Sequence, residues 1–236
     1  MVDVKDGTEG TDFNLGGIQT NTAIFDPIKS GTYNIDVNGQ KLTVKVEEAS
    51  TIPDSVVDNF DTALYDDQNN TLSDYYTGDV NSFARATTTA YDGNYSLQGD
   101  GGTGSGIEIS SDSGLPNYPQ QGDTFEYYTY AGGTNQLIYF EFANKNYAIH
   151  SGVRDGTLEL ILDGTEEDQA STSLSKSTWY RHRVEWGSNG SISVTVYDPN
   201  DNIEGQVSGT DATYTGGGIT YNYRKGKTFL DGIYVT

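Results

Sequence analysis

The feature that most constrains this chain is how often Gly, Thr, Ser, Asn and Asp interrupt it, because no apolar stripe keeps a 3.6-residue period over three helical turns. Short alternating runs survive between the breaks. Beyond the first 95 residues they are Ser96–Gln98, Gly106–Ser110, Thr124–Tyr130, Gln136–Phe142, Tyr147–Gly152, Thr157–Leu162, Trp179–Trp186, Ser191–Tyr197, Gly218–Tyr223 and Thr228–Val235. Many short strands at close spacing, with turn residues between them, predict an all-β chain folded as a two-sheet antiparallel sandwich or barrel.

The first fifty residues read differently. Thr32 to Glu48 alternates around Asn38-Gly39, a strong hairpin signal. Pro53 follows, and from Pro53 to Asp79 the chain carries seven acids and no base. A boundary is therefore expected near residues 49–56, with residues 1–52 a small β-hairpin segment and 53–236 the sandwich. One hairpin buries too little surface to fold alone, so the segment is expected to anchor or oligomerise the protein, or to dock on the sandwich.

Charge narrows the partners. The 236 residues hold 34 acids against 13 bases, a net charge of −21, and no cysteine. Disulfides and cysteine-based metal or thiol chemistry are excluded. Nucleic acid is an implausible partner because phosphate binding needs clustered Lys and Arg, and anionic membrane surfaces are disfavoured by the same sign. No apolar stretch approaches the roughly 18 residues of a membrane span, and the N-terminus lacks a basic-then-apolar leader, which reads as synthesis in a cytoplasm. A charge spread along the whole chain repels itself at low salt but is screened within roughly 3 Å at about 1 M, so the composition suggests multimolar salt. An acidic extracellular calcium-binding domain is the plainer alternative.

The motifs occur in a recognisable order. Asp58 to Phe60 (DNF) opens it, followed by YDGNYSLQG (Tyr91 to Gly99), DTFEYYTY (Asp123 to Tyr130), FEF (Phe140 to Phe142) and GTLELIL (Gly156 to Leu162). WYRHRVEW (Trp179 to Trp186), GSNGSISVTVYD (Gly187 to Asp198) and LDGIYV (Leu230 to Val235) complete it. From about Val57 onward this resembles the laminin-G-like, concanavalin A-like jelly rolls common in haloarchaeal sequences. The resemblance implies two stacked antiparallel sheets with a face that often binds sugars. Residues 1–52 have no counterpart in it.

Hydrolases on such a fold place catalytic carboxylates at alternate positions of one strand, E-x-D-x-x-E, because a retaining mechanism needs them about 5–5.5 Å apart. The nearest match, Glu159, Asp163 and Glu166, spaces its first two acids four apart, and Asp163-Gly164 reads as a turn. The histidines are His150 and His182, the latter inside a strand and expected to be packed rather than catalytic. Gly101–Gly106 lacks the lysine and helix of a phosphate loop. No enzyme activity is expected. Sequons at Asn69, Asn94 and Asn189 carry weight only if the protein reaches a surface.

Two sites are expected. The resemblance implies that calcium could tie the first and last strands together through Asp92 and Asp231, with Asp58 or Asp61. Alternation turns Tyr128 and Tyr130 away from Phe125 and Tyr127, Tyr139 and Glu141 away from Phe140 and Phe142, and Arg181, Arg183 and Glu185 away from Val184 and Trp186. Tyr128, Tyr130, Tyr139, Arg181 and Arg183 thus form a candidate outward ligand face, with the arginines suited to acidic or sulfated sugars. The plainer reading makes these ordinary strand tyrosines, with arginines neutralising nearby carboxylates.

Together these features resemble a structural protein on the outside of a haloarchaeal virus: a turret, spike, fibre or capsid decoration that meets host-surface glycan and joins copies of itself or other virion proteins through residues 1–52. The alternatives are a cellular surface adhesion module, or a polysaccharide-degrading enzyme with an unrecognised site.

Overall fold

The structure is a computed structural model that describes residues 56–65, 71–99 and 106–236, together with five strands N-terminal to them. The chain divides into two compact units, Met1–Thr51 and Ile52–Thr236. In the first, β1 (Val2–Val4), β4 (Gly31–Val37) and β5 (Gln40–Val46) form a three-stranded sheet in the order β1-β4-β5, and β2 (Phe13–Gln19) pairs with β3 (Thr22–Pro27). The β4–β5 register closes with Val37 opposite Gln40. The expected turn at Asn38-Gly39 lies outside the described residues, as do Asn69 and Gly101 to Ser105.

The second unit is a two-sheet antiparallel sandwich, consistent with a jelly roll. It opens with β6 (Val56–Asp58), the one-turn helices α1 (Thr62–Tyr65) and α2 (Leu72–Tyr75), β7 (Thr77–Gly78), a 3-10 turn, β8 (Phe83–Ala86), β9 (Ser96–Gly99) and β10 (Ile107–Ser111). The long strands follow: β11 (Thr124–Ala131), β12 (Leu137–Phe142), β13 (Tyr147–Gly152), β14 (Thr157–Leu162), β15 (Thr165–Ser171), β16 (Trp179–Trp186), β17 (Ser191–Tyr197), β18 (Ile203–Thr210), β19 (Ile219–Arg224) and β20 (Thr228–Val235). Seven strands form one sheet, in the order β15-β14-β13-β12-β19-β10-β7. The other holds eight, in the order β18-β17-β16-β11-β20-β9-β8, with β6 also paired to β20.

Period-2 burial explains how the sheets stack. β11 alternates between partly exposed and buried along its length, burying Phe125, Tyr127, Thr129 and Ala131. β12 and β14 bury Ile138, Phe140 and Phe142 and Leu158, Leu160 and Leu162 from the opposite side. Rings meet across the interface. Tyr127 stacks on Phe140 with centroids 4.0 Å apart, Phe125 meets Phe142 edge-on at 5.2 Å, and Trp186 meets Phe142 at 5.2 Å and Tyr147 at 5.6 Å. Such offset and edge-to-face pairs add about 0.5–1.5 kcal/mol each beyond area burial.

His182 belongs to this core. It is fully buried, its ring lies 4.6 Å from that of Tyr127 and nearly parallel to it, and burial pushes its pKa down to about 3. It is a neutral packing residue at any pH near neutrality.

Candidate functional site

Pairing of β11 with β16 places Tyr128 opposite Arg181, Glu126 opposite Arg183 and Tyr130 opposite Trp179, all on the outer face of the eight-stranded sheet. Four of the five expected ligand residues therefore share one surface. Tyr139 does not: β12 pairs with β13 and β19 in the seven-stranded sheet, so Tyr139 faces out on the opposite side of the sandwich. Alternation specifies which side of its own strand a residue takes, but sheet membership depends on long-range pairing that the pattern does not encode.

The face is more aromatic than the sequence suggested. Tyr91, 50% exposed, leaves its loop to stack on Tyr128 with centroids 3.6 Å apart and planes 16° from parallel, and meets Trp179 edge-on at 6.0 Å. Tyr130 lies 5.4 Å from both Trp179 and Phe229. Trp179 was readable by parity with Arg181; Tyr91 was not, since no periodicity governs a loop. The arginines sit beside this cluster and are paired. Arg181 donates to Glu126 Oε1 at 2.8 Å and to Asp201 Oδ1 at 2.7 Å, with its guanidinium 4.3 Å from the Tyr197 ring centre. Arg183 reaches Glu126 Oε1 at 3.4 Å and Glu185 Oε1 at 3.3 Å.

The loop carrying Tyr91 is held by carboxylates. Asp231, on β20 opposite Tyr128, accepts the Tyr91 and Asp92 N–H groups at 2.7 and 3.1 Å through one oxygen and the Gly232 N–H at 2.8 Å through the other. Asp61 Oδ1 accepts the N–H groups of Asn94 and Tyr95 at 2.8 and 3.1 Å. Asp92 accepts the Tyr234 hydroxyl. Asp58 is separate and wholly buried, accepting the Phe60 N–H and the hydroxyls of Tyr65 and Tyr76, each at 2.7 Å. Burial raises Asp58 to about 6 and Asp231 to about 7, against the hydrogen bonds that favour their ionised forms.

Both oxygens of Asp58 and both of Asp231 receive N–H or O–H donors, so a hard cation at either carboxylate would compete with those donors for the same oxygens. Among the described residues, no group of three or more His, Cys, Asp or Glu is placed to hold a metal ion. Asp231 and Asp61 fasten the loop at residues 91–95 through its amide protons. Chelation is accordingly expected to leave the melting temperature unchanged at fixed salt. A fall restored by calcium would show that an ion displaces these donors.

The seven-stranded sheet carries a different cluster on its outer face. His150 Nδ1 lies 2.9 Å from Glu159 Oε2, the Tyr139 ring stacks on the imidazole at 4.5 Å, and the Arg224 guanidinium stands 5.5 Å from the Tyr139 ring centre. Glu159 also accepts Gln169 Nε2 at 2.9 Å. Asp163 has φ of 47° and Gly164 of 76°, making the tight turn between β14 and β15, and Glu166 pairs across from Ile161 rather than beside Glu159. The three acids of the hydrolase-like stretch thus do not form an alternating set on one strand.

No protein-family profile matches the chain, and no curated protein matches it. Solved structures similar to it include a β-glucanase of Bacillus licheniformis, with a TM-score of 0.49 and 12% identity over 71% of this chain and 94% of that one. A protein of unknown function with a galectin-like fold from Bacillus subtilis gives 0.48 and 13% over 70% and 89%. The Ca2+-bound exoplasmic/lumenal domain of VIP36 gives 0.46 and 10% over 68% and 88%. Each of these likenesses is at 13% identity or less and a TM-score below 0.5, and none carries a residue role to this chain.

Proposed function

We propose that this chain is a non-enzymatic glycan-binding module that works in concentrated salt, with the outer face of the eight-stranded sheet as its ligand surface. One observation carries the reading: the Tyr91–Tyr128 stack, extended by Trp179 and Tyr130, with Tyr91 half open to solvent. Flat aromatic area beside fixed polar groups is what sugar recognition requires, since the rings cover apolar sugar faces while carboxylates and guanidinium groups bond the hydroxyls. The buried, neutral state of His182 and the engagement of Glu159 by His150 and Gln169 support binding over hydrolysis.

A place on the outside of a haloarchaeal virion, with residues 1–52 as the docking segment, is part of this proposal. It is supported by the charge of −21 and by the separation of Met1–Thr51 as its own unit. Imaging the native assembly with a labelled antibody tests that placement, and finding the protein on the cell envelope instead would favour an adhesion module.

Binding to host-surface glycan in molar salt tests the ligand face. Tyr91→Ala and Tyr128→Ala are each expected to weaken it about tenfold, the equivalent of ~1.4 kcal/mol. Tyr139→Ala, on the other sheet, should leave it unchanged. Equal binding by all three variants and the parent would remove this face from the function.

A further inference from the structure

Building on the glycan-binding reading, we infer that this face takes an extended, uncharged glycan chain laid along β16, rather than the acidic or sulfated sugar that two neighbouring arginines suggest in the sequence. The charges decide the first half. Arg181 and Arg183 already pair with Glu126, Glu185 and Asp201, so two guanidinium groups face three carboxylates. Arg181 is engaged further by the Tyr197 ring, whose centre lies 4.3 Å from its guanidinium. An anionic sugar would have to displace a carboxylate anchored in the chain and then sit in a field of its own sign. A neutral sugar meets no such opposition, because its hydroxyls donate to the same carboxylates.

The length follows from what lies at the two ends of β16. At one end are Trp179, Tyr130, Tyr128 and Tyr91. At the other, Glu185, Ser193 and Ser208 stand in register across three strands on the same outer side. They border a depression of about 440 Å³ that Gly187 and Thr210 also line. Trp179 and Glu185 are six residues apart on the strand, about 20 Å at roughly 3.4 Å per residue. A monosaccharide reaches one end only, whereas a chain of several sugars joins the aromatic platform to the hydroxyl-lined depression.

The test uses the full chain at the lowest salt in which it stays folded, where any ionic contribution is strongest. Neutral hexose oligosaccharides, from monosaccharide to hexasaccharide, are titrated beside their sulfated counterparts. Affinity is expected to rise with length and to fall at least about tenfold on sulfation, the order of one lost favourable contact. Ser193→Trp should remove the gain from length while leaving disaccharide binding intact, and Ser208→Trp, on the edge strand, gives the same readout if the first variant folds poorly. Length-independent binding, or sulfated probes held as tightly as neutral ones and lost in Arg181→Ala, would overturn this inference and leave glycan binding standing. Failure of every probe to bind would remove the glycan-binding reading and this inference with it.

Discussion

Replacing Asp58 by alanine is expected to destabilise the sandwich by about 4 kcal/mol and to lower its melting temperature by roughly 10 °C or more. The carboxylate accepts three buried donors: the Phe60 N–H and the Tyr65 and Tyr76 hydroxyls. Alanine leaves all three without their acceptor inside the fold, at about 1–3 kcal/mol for each buried group. The effect spreads because these donors come from the turn before α1, from α1 and from the segment after α2, and because Arg85 lies between the rings of Tyr65 and Tyr95 at 4.2 Å from each while its Nε donates to the Phe60 carbonyl. Asp58→Asn keeps one acceptor oxygen and removes the buried charge, so it should cost only about 1 kcal/mol, one neutral hydrogen bond. Thermal unfolding of both variants checks this. An alanine variant that melts with the parent would mean that the opening segment does not hold the sandwich together.

Acidification from pH 7 to pH 5 at constant molar salt should stabilise the protein, by about 2 kcal/mol at ~1.36 kcal/mol per pKa unit. Asp58 and Asp231 are raised from 3.8 to about 6 and about 7 by burial, so the folded state binds their protons more tightly than the unfolded chain. Their contribution is complete below pH 3.8 and is lost as pH rises through 6 and 7. His182 acts in the opposite sense. Burial lowers it from 6.5 to about 3, so its contribution is present above 6.5 and is lost as pH falls toward 3. Two rising carboxylates outweigh one falling imidazole across this window, and Glu141, also raised by burial, adds to their side. In the Asp58→Asn, Asp231→Asn double variant the sign should reverse, leaving His182 to destabilise the protein on acidification. Denaturant unfolding at the two pH values reads the difference, and a parent less stable at pH 5 than at pH 7 would contradict the assignment.

Much of the sandwich was legible in the sequence because the strands Thr157–Leu162, Trp179–Trp186 and Ser191–Tyr197 bury mainly one face and have the bounds that alternation predicts. Tyr147–Gly152 and Thr228–Val235 have the expected bounds too, but they are buried on both faces along most of their length, so turn residues at their ends mark them rather than alternation. β15 and β18 went unread for a physical reason. Each lies at a sheet edge and is mostly exposed, so TEEDQAS and IEGQVSGT carry no alternating apolar signal and are made into strands by the neighbours they pair with. The same limit governs the site. The outward parity of Tyr128, Arg181 and Arg183 was readable strand by strand. The placement of Tyr139 on the far sheet, and the arrival of Tyr91 from a loop, depend on contacts between distant segments.

The way the loop at residues 91–95 is fastened separates its fixing from its chemistry. Asp231 and Asp61 grip it through the N–H groups of residues 91, 92, 94 and 95, which every amino acid except proline supplies. Only Gly93 is demanded by shape: its φ is +61°, and a Cβ there would fall 1.5 Å from Asp61 Oδ2. The loop is therefore an interchangeable mount. Residue 91, which crowns the aromatic platform, can be exchanged for histidine, arginine or tryptophan while keeping these N–H contacts, so the chemistry shown at this tip can drift or be redesigned while the two sheets stay as they are.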